Sequence, residues 1–380
     1  MRIAIFENVM TAGGHEVDFN RILVEEFRAL GHEVIFYVPE NFKFQLDYHT
    51  SVVKLNGNSV SYTNTRGIKK IYAAAKREIN RQRWYSQLFY LQKQFDALII
   101  PSATYRYIRA VTHNDLKKIS VPMIFILHGI TPDEAPKVIN ESKKILPYEN
   151  LKVIAMTLTE SMFAEKPKNI TAVAPPTYLP RDLSDAEKNP SRNDILTVGF
   201  FGQYRREKKL RDLLNVFVNG SYNRKVNLIV QGSTMHDEDA ADFENIIAQY
   251  KNFDSLTFMH RGLIGADWQR AIMKVDALLM PYSAPRYRYH TSAMLFTAIG
   301  FGKPIIAGNN MNPEVFEKYR IGETFESGDI NDLARVLKNF INNFDTNIDI
   351  YKKNLREAGE KFSPSNFAKQ LETIMSGDKK

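Results

Sequence analysis

Short apolar runs alternate with amphipathic segments along almost the whole chain. In the first half the runs are Arg2–Phe6, Glu33–Val38, Ala97–Ile100, Pro122–Leu127 and Val153–Met156, each too short for a helix. Segments with helical spacing, such as Ile22–Leu30, flank them. Continuous apolar runs of this length predict strands covered on both faces, and their alternation with helices predicts a parallel sheet. A polar, proline-containing stretch from Tyr178 to Asp194 then breaks the rhythm and reads as a linker. Beyond it the pattern restarts, with strands expected at Leu196–Phe201, Asn227–Gln231, Ser255–His260, Ala277–Met280 and Pro304–Ala307. Helical segments occupy the chain from Ile330 onward.

The expected fold is therefore α/β, with two Rossmann-like doubly wound domains facing a central cleft. A ligand in such a fold sits at the carboxyl ends of the strands. The boundaries expected are 1–178 for an acceptor-side domain, 179–194 for the linker and 195–350 for a nucleotide-sugar-binding domain. Residues 351–380 are expected as C-terminal helices, with a crossing back to the first domain left open.

A length of 380 residues suits two domains better than one, and 44% hydrophobic with 25% charged residues is ordinary for a soluble protein. The absence of cysteine removes disulfides and thiol chemistry and points to a reducing compartment. Met1–Phe6 leads directly into the first strand pattern, without a charged-then-apolar leader, and no apolar run reaches the length of a membrane span. These features predict a cytoplasmic protein, with attachment to the inner face of the cell membrane left open. The net charge is +8, of which +6 lies before Pro180 and +2 after it. Excess positive charge suits nucleic acid, anionic membrane or acidic ligands. No nucleic-acid module is recognisable, which favours the last two.

The most informative stretch begins at Asp276-Ala-Leu-Leu-Met-Pro-Tyr282, continues through the basic, aromatic Arg286-Tyr-Arg-Tyr-His290, and opens a helix at Thr291-Ser292-Ala293. Gly302-Lys303-Pro304 then introduces a second buried strand. A strand-to-helix loop with small residues and positive charge is suited to an anion at the helix N-terminus, where free N–H groups and the macrodipole both favour it.

The order of features resembles the two-domain GT-B glycosyltransferases, closest to family 4 and its bacterial surface-polysaccharide relatives. The resemblance rests on Gly13-Gly14 before the first helix and on Gly31-His-Glu-Val34 at the second strand. His128-Gly129 and Thr159-Glu-Ser161 follow later strands in the same manner. In the second half Phe200-Phe-Gly-Gln-Tyr-Arg205-Arg-Glu-Lys208-Lys-Leu210 is similar to the family's F-G-x-x-R-x-x-K-G-L segment, and Val230-Gln-Gly232 to its next strand-end glycine.

The resemblance implies a metal-independent transferase that uses a nucleotide-sugar as substrate and no cofactor. Arg205 and Lys208, on a turn from strand into helix, would clamp the diphosphate. Positive charge there opposes the helix dipole unless an anion binds, though the same residues also suit a solvated helix start. Thr291, Ser292 and Ala293 would donate to the phosphates, with Thr291 equally suited to capping. Gly13 and Gly14 would let backbone approach the donor or simply turn the chain, and Gly232 belongs to the same donor-side set. His128 is the candidate base or orienting donor for the acceptor hydroxyl, or a capped loop histidine; Asp133 and Glu134 are alternatives that also suit a helix start. Family 4 enzymes carry two glutamates eight positions apart in the donor loop; alignment on Gly302-Lys-Pro304 puts Tyr289 and Thr297 there instead. His236-Asp-Glu-Asp239 contains a D-x-D, which reads as an acidic helix start rather than a metal site.

Residues 66–95 interleave Lys69, Lys70, Lys76, Arg77, Arg81, Arg83 and Lys93 with Tyr72, Trp84, Tyr85, Phe89 and Tyr90. Two readings stand: a helix docking on an anionic membrane surface, or a domain helix with aromatic core and wet cations. The function expected is sugar transfer to a glycan or lipid-linked acceptor in surface polysaccharide or lipopolysaccharide synthesis. The alternative is a catalytically silent GT-B partner or glycan-binding subunit of an assembly complex.

Overall fold

The apolar run Ile3–Phe6 is wholly buried because its strand lies in the interior of a parallel sheet with a neighbour on each side. A computed structural model describes residues 1–9, 15–60, 68–188 and 195–377. The chain divides into two units: Met1–Thr11, Glu16–Pro175 and Pro364–Lys380 form the first, and Ala12–His15 with Pro176–Ser363 form the second.

The first unit holds seven strands, β1 (Arg2–Phe6), β2 (Glu33–Pro39), β3 (Ser51–Leu55), β4 (Ala97–Ile100), β5 (Met123–Leu127), β6 (Leu151–Met156) and β7 (Ile170–Val173). Their order is β3-β2-β1-β4-β5-β6-β7, and every pairing is parallel, with Ile3 opposite both Val34 and Ala97. The second unit holds β8 (Leu196–Phe200), β9 (Val226–Gly232), β10 (Leu256–His260), β11 (Ala277–Met280), β12 (Ile305–Gly308) and β13 (Gly322–Phe325). Their order is β10-β9-β8-β11-β12-β13, again all parallel.

All ten strands read from the hydrophobic pattern are present, with ends displaced by at most two residues. Three more, β3, β7 and β13, were not legible in that pattern. Each is a rim strand, with one neighbour instead of two; the fourth rim strand, β10, is among the ten already read. A rim strand needs no continuous apolar run, and in β3 Ser51, Val52 and Lys54 all face solvent.

In each sheet the strand order reverses beside the unit's first strand, between β1 and β4 and between β8 and β11. Loops leaving the two strands at such a switch point diverge to opposite faces, which opens a crevice at the carboxyl edge. The helices Ile330–Asn342 and Phe344–Lys361 belong to the second unit, the first of them capped by Asp329, whose carboxylate accepts from the N–H groups of Asn331 and Asp332 at 2.8 and 3.0 Å. The last helix, Pro364–Ser376, belongs to the first unit. There Phe367 meets Phe19 at 5.7 Å between ring centres, and Glu372 meets His32 at 2.8 Å.

Candidate functional site

In the second unit the chain leaves β8 through buried Phe201 and turns at Gly202, whose φ of 106° excludes most side chains. The Gly202 N–H donates to Gln231 Oε1 at 3.0 Å, and Gln231 is itself buried at the end of β9. Tyr204 N–H donates to the Ser233 carbonyl at 2.7 Å and Ser233 N–H to the Gly202 carbonyl at 3.2 Å, so pairing continues past the named strands. Arg205 is extended, Arg206–Lys208 form a 3-10 turn, and the helix Leu210–Asn219 follows. Between turn and helix Lys209 adopts φ 55°, a left-handed conformation that residues with a Cβ rarely take.

That tight turn sorts the cations of the Arg205–Arg211 segment. Arg206 and Arg211 point to Asp242, at 3.6 and 2.7 Å, and Lys209 pairs with Asp212 at 3.6 Å. Lys208 instead turns inward and is only 8% exposed. Its Nζ sits 4.7 Å from the Tyr282 ring centre, and 3.6 Å from where a Cβ on Gly202 would lie. Burial, reinforced by the positive charge of Arg205 and Arg286 and opposed by Glu207, lowers the Lys208 pKa to about 7. An ammonium so placed gains from any anion that enters beside it.

The opposing wall comes from the loop after β11. Tyr282 is buried with its ring centre 4.9 Å from that of Tyr287, the two rings tilted by 35°, and Pro285–Arg288 form a 3-10 turn. The turn presents Arg286 to Glu207, with a further bond to the Tyr287 hydroxyl at 3.2 Å, and Arg288 to Glu314. Ser292 caps the helix Ala293–Gly300: its Oγ accepts from Leu295 N–H at 3.4 Å. Ser292 N–H donates to Asn312 Oδ1 at 3.1 Å, and Asn312 is a buried residue with φ 43°. Ala293 and Met294, in the first turn, have no helical carbonyl behind them, so their N–H groups point out of the helix tip.

The loops after β8 and β11 thus bring Arg205, Lys208, Arg286 and the Ser292–Ala293 tip to one switch point. Thr291 adjoins this tip. Tyr289 lies at the end of the 3-10 turn, its N–H donating to the Arg286 carbonyl at 3.0 Å. Thr297 is buried one turn into the helix, where its hydroxyl donates to the Ala293 carbonyl at 2.9 Å. Gly232 ends β9, and a Cβ there would lie 2.8 Å from the Phe243 ring, so close packing of the next helix requires it. Asp237, Glu238 and Asp239 occupy the first turn of the helix Asp237–Tyr250. Among the described residues no group of three or more His, Cys, Asp or Glu could hold a metal ion.

In the first unit His128 follows β5. Its Nε2 lies 2.7 Å from the Pro101 carbonyl, and its ring meets Phe19 edge-on at 4.6 Å. A carbonyl only accepts, so Nε2 carries a proton. Glu134 turns back on Thr131, accepting from its N–H and hydroxyl at 3.2 Å each. Gly13 and Gly14 lie outside the described residues.

One carboxylate was not singled out in the sequence. Glu7, directly after β1, is buried and accepts from Val9 N–H at 2.7 Å and Asn20 Nδ2 at 2.8 Å. Burial raises its pKa to about 7 against the pull of those two bonds. The available signal was position: an acid ending an all-apolar central strand, at the switch point, has little solvent to meet.

The helix Ile68–Tyr90 has two faces. Trp84, Tyr85, Leu88 and Phe89 are core, and Arg81 is buried with them, paired to Glu78 at 2.9 Å and lying 4.6 Å over the Tyr107 ring. Arg81 is thus no surface cation. The opposite face exposes Ile71 (72%), Tyr72 (68%), Ile79 (63%) and Tyr90 (87%) beside exposed Lys76 and Arg83. Among the described residues no helix is long and apolar enough to cross a membrane.

No family model and no curated protein matches this sequence. Among solved structures, HepE of Anabaena in complex with UDP and glucose is similar with a TM-score of 0.70 at 14% identity, covering 99% of each chain. Sucrose-phosphate synthase of Thermosynechococcus elongatus is similar at 0.69 and 15% identity, over 98% of this chain and 97% of that one. WaaG, a glycosyltransferase involved in lipopolysaccharide biosynthesis, is similar at 0.64 and 13% identity, over 99% and 100%. The fold is that of the GT-B glycosyltransferases, across nearly the whole chain.

Proposed function

We propose that the protein transfers a sugar from a nucleotide-sugar donor to a glycan or lipid-linked acceptor, in bacterial surface polysaccharide or lipopolysaccharide synthesis, without a metal ion. The observation that carries the reading is the buried Lys208 ammonium at the β8–β11 switch point, flanked by two arginines. A folded protein holds an under-compensated cation in such a place only at a cost, which an anionic ligand offsets. The structural neighbour bound to UDP and glucose, and the one acting in lipopolysaccharide biosynthesis, support the same reading.

In this mechanism the bond from the anomeric carbon to the β-phosphate oxygen breaks, and negative charge grows on the departing diphosphate. Lys208 and Arg205 meet that charge from one side. The N–H of Ala293 and the Thr291 and Ser292 hydroxyl region meet it from the other. Charge supplied by side chains already in place needs little reorganisation as the bond breaks. His128 receives or orients the acceptor hydroxyl proton. Gly13 and Gly14 are retained as donor-side backbone, Gly232 as a strand-end contact, and Tyr289 and Thr297 as the residues that replace the family's glutamates near the donor sugar.

The exposed Ile71, Tyr72 and Ile79, beside Lys76 and Arg83, suit a peripheral cytoplasmic enzyme that meets an acceptor at an anionic membrane surface. The silent-partner reading is favoured by one feature, the replacement of both glutamates by Tyr289 and Thr297. A panel of nucleotide-sugars, assayed for nucleoside diphosphate release, separates the two. The transferase reading expects release with at least one donor and a loss of about 2 kcal/mol or more in transition-state stabilisation for Lys208→Ala. Binding of a glycan with no donor turned over would support the silent partner instead.

A further inference from the structure

Glu207 occupies an unusual place in this site. Its Oε1 contacts the Arg286 guanidinium, reached from 79 positions along the chain, and lies 3.8 Å from Arg205 Nη1. The next residue is the buried Lys208. One carboxylate therefore stands among three cations that the proposed function assigns to, or places beside, the donor's diphosphate.

We infer that Glu207 is an internal counterion that occupies the place of the donor's diphosphate between Arg205 and Arg286, and competes with it. The inference rests on the donor-site reading above and adds a regulating residue to it. Three observations support it. Glu207 and Arg286 are each about a third exposed, so their contact sits at the mouth of the site where a ligand can displace it. Arg286 Nε is buried with no hydrogen-bond partner, so Glu207 satisfies only part of the guanidinium. A second oxygen on the same anion, as a diphosphate has, would supply the missing acceptor in the forked geometry arginine favours. Finally, Glu207 opposes the lowering of the Lys208 pKa that burial and the two arginines cause. In electrostatic terms it already supplies these cations with an anion.

The charges clarify what such a residue does. With Lys208 protonated, Arg205, Lys208 and Arg286 against Glu207 leave two positive charges. A nucleotide-sugar diphosphate brings two negative charges, one on each phosphate, and is matched. The nucleoside diphosphate left after transfer gains a further ionisation on its free β-phosphate. Glu207 repels that added charge and regains its arginines as the product leaves. It thereby favours donor over product, by adding a repulsive element aimed at the competitor.

The test uses the full-length protein, wild type and Glu207→Gln, titrated calorimetrically with UDP, ADP and GDP at two salt concentrations. Glu207→Gln keeps the side-chain shape and removes its charge. The expected result is about tenfold tighter binding of the preferred nucleoside diphosphate, with a steeper salt dependence. Product inhibition should strengthen in parallel, while binding of the intact nucleotide-sugar gains less. In an Arg286→Gln background the same substitution should gain much less. Glu207→Asp, which keeps the charge but draws it back by one methylene, should gain less than Glu207→Gln, and circular dichroism of each variant reports on folding. Equal or weaker binding by a folded Glu207→Gln variant overturns the counterion role and leaves the donor site standing. Failure of wild type and variant alike to bind any of the three overturns the donor site, and this inference with it.

Discussion

The Lys208 ammonium lies 4.7 Å from the centre of the Tyr282 ring, joining residues that follow β8 and β11. The ring face attracts the cation but replaces water on that side, and the Tyr282 hydroxyl is itself buried without a partner. Attraction by one aromatic face does not restore full hydration. The lysine is left able to lose its proton near neutrality, and the consequences are measurable.

Nucleotide binding should take up a proton. Free Lys208 has a pKa lowered to about 7, by burial first and by Arg205 and Arg286 next. A bound diphosphate favours the charged form and raises that pKa. Above pH 7 the complex then holds a proton that the free protein lacks, so affinity falls as pH rises. Calorimetry in buffers of different ionisation enthalpy reads the proton directly, and Lys208→Met should abolish it.

The same variant should be more stable than the wild type while losing turnover. The unfolded lysine titrates near 10.5 and the folded one at about 7, so the unfolded chain binds more protons between those values. Wild-type stability therefore rises with pH through that window, and below pH 7 the native chain bears the full burden of the buried charge. Lys208→Met should stabilise by about 1 kcal/mol or more at pH 7 and flatten this part of the pH profile, as thermal melts would record.

Lys209→Gly should also stabilise, for a backbone reason. Lys209 holds φ 55° between the 3-10 turn and the helix, and its side chain makes only a half-exposed contact with Asp212. Relief of the left-handed strain, less the entropy glycine adds to the unfolded chain, should leave about 0.5 kcal/mol in urea melts.

Two substitutions separate surface from core on the helix Ile68–Tyr90. Ile71→Glu with Ile79→Glu should remove binding to vesicles rich in anionic lipid and leave the melting temperature near wild type. Arg81→Glu should instead lower stability by about 3 kcal/mol or more, since it sets a second carboxylate against Glu78 in a buried place. Retention of the double variant on vesicles would remove this helix as a membrane contact.

Much of this was legible in the sequence, for identifiable reasons. Central strands such as β1, β4 and β11 declare themselves because burial on both faces demands unbroken apolar runs. Three of the four rim strands, β3, β7 and β13, do not, because solvent on one side relaxes that demand; only β10 was read. Arg205 and Lys208 stood out through a local pattern, cations on a strand-to-helix turn where the dipole resists them. Their pairing with the second loop did not. Tyr282, Arg286 and Glu207 come together only when β11 pairs beside β8, a relationship between distant segments that no local spacing encodes. Arg81 was misplaced among the surface cations for the converse reason: its helix spacing suited either face, and packing against Tyr107 decided it.

The central claim is that a diphosphate binds between Lys208, Arg205 and the Ser292-led helix tip. A crystal structure with the nucleoside diphosphate that binds most tightly tests it most directly. The account predicts phosphate oxygens within hydrogen-bond distance of Lys208 Nζ and of the Ala293 N–H, with the Arg286 guanidinium turned from Glu207 to the ligand. Nucleotide bound elsewhere, with Lys208 still packed on Tyr282 and Arg286 still paired to Glu207, would contradict it.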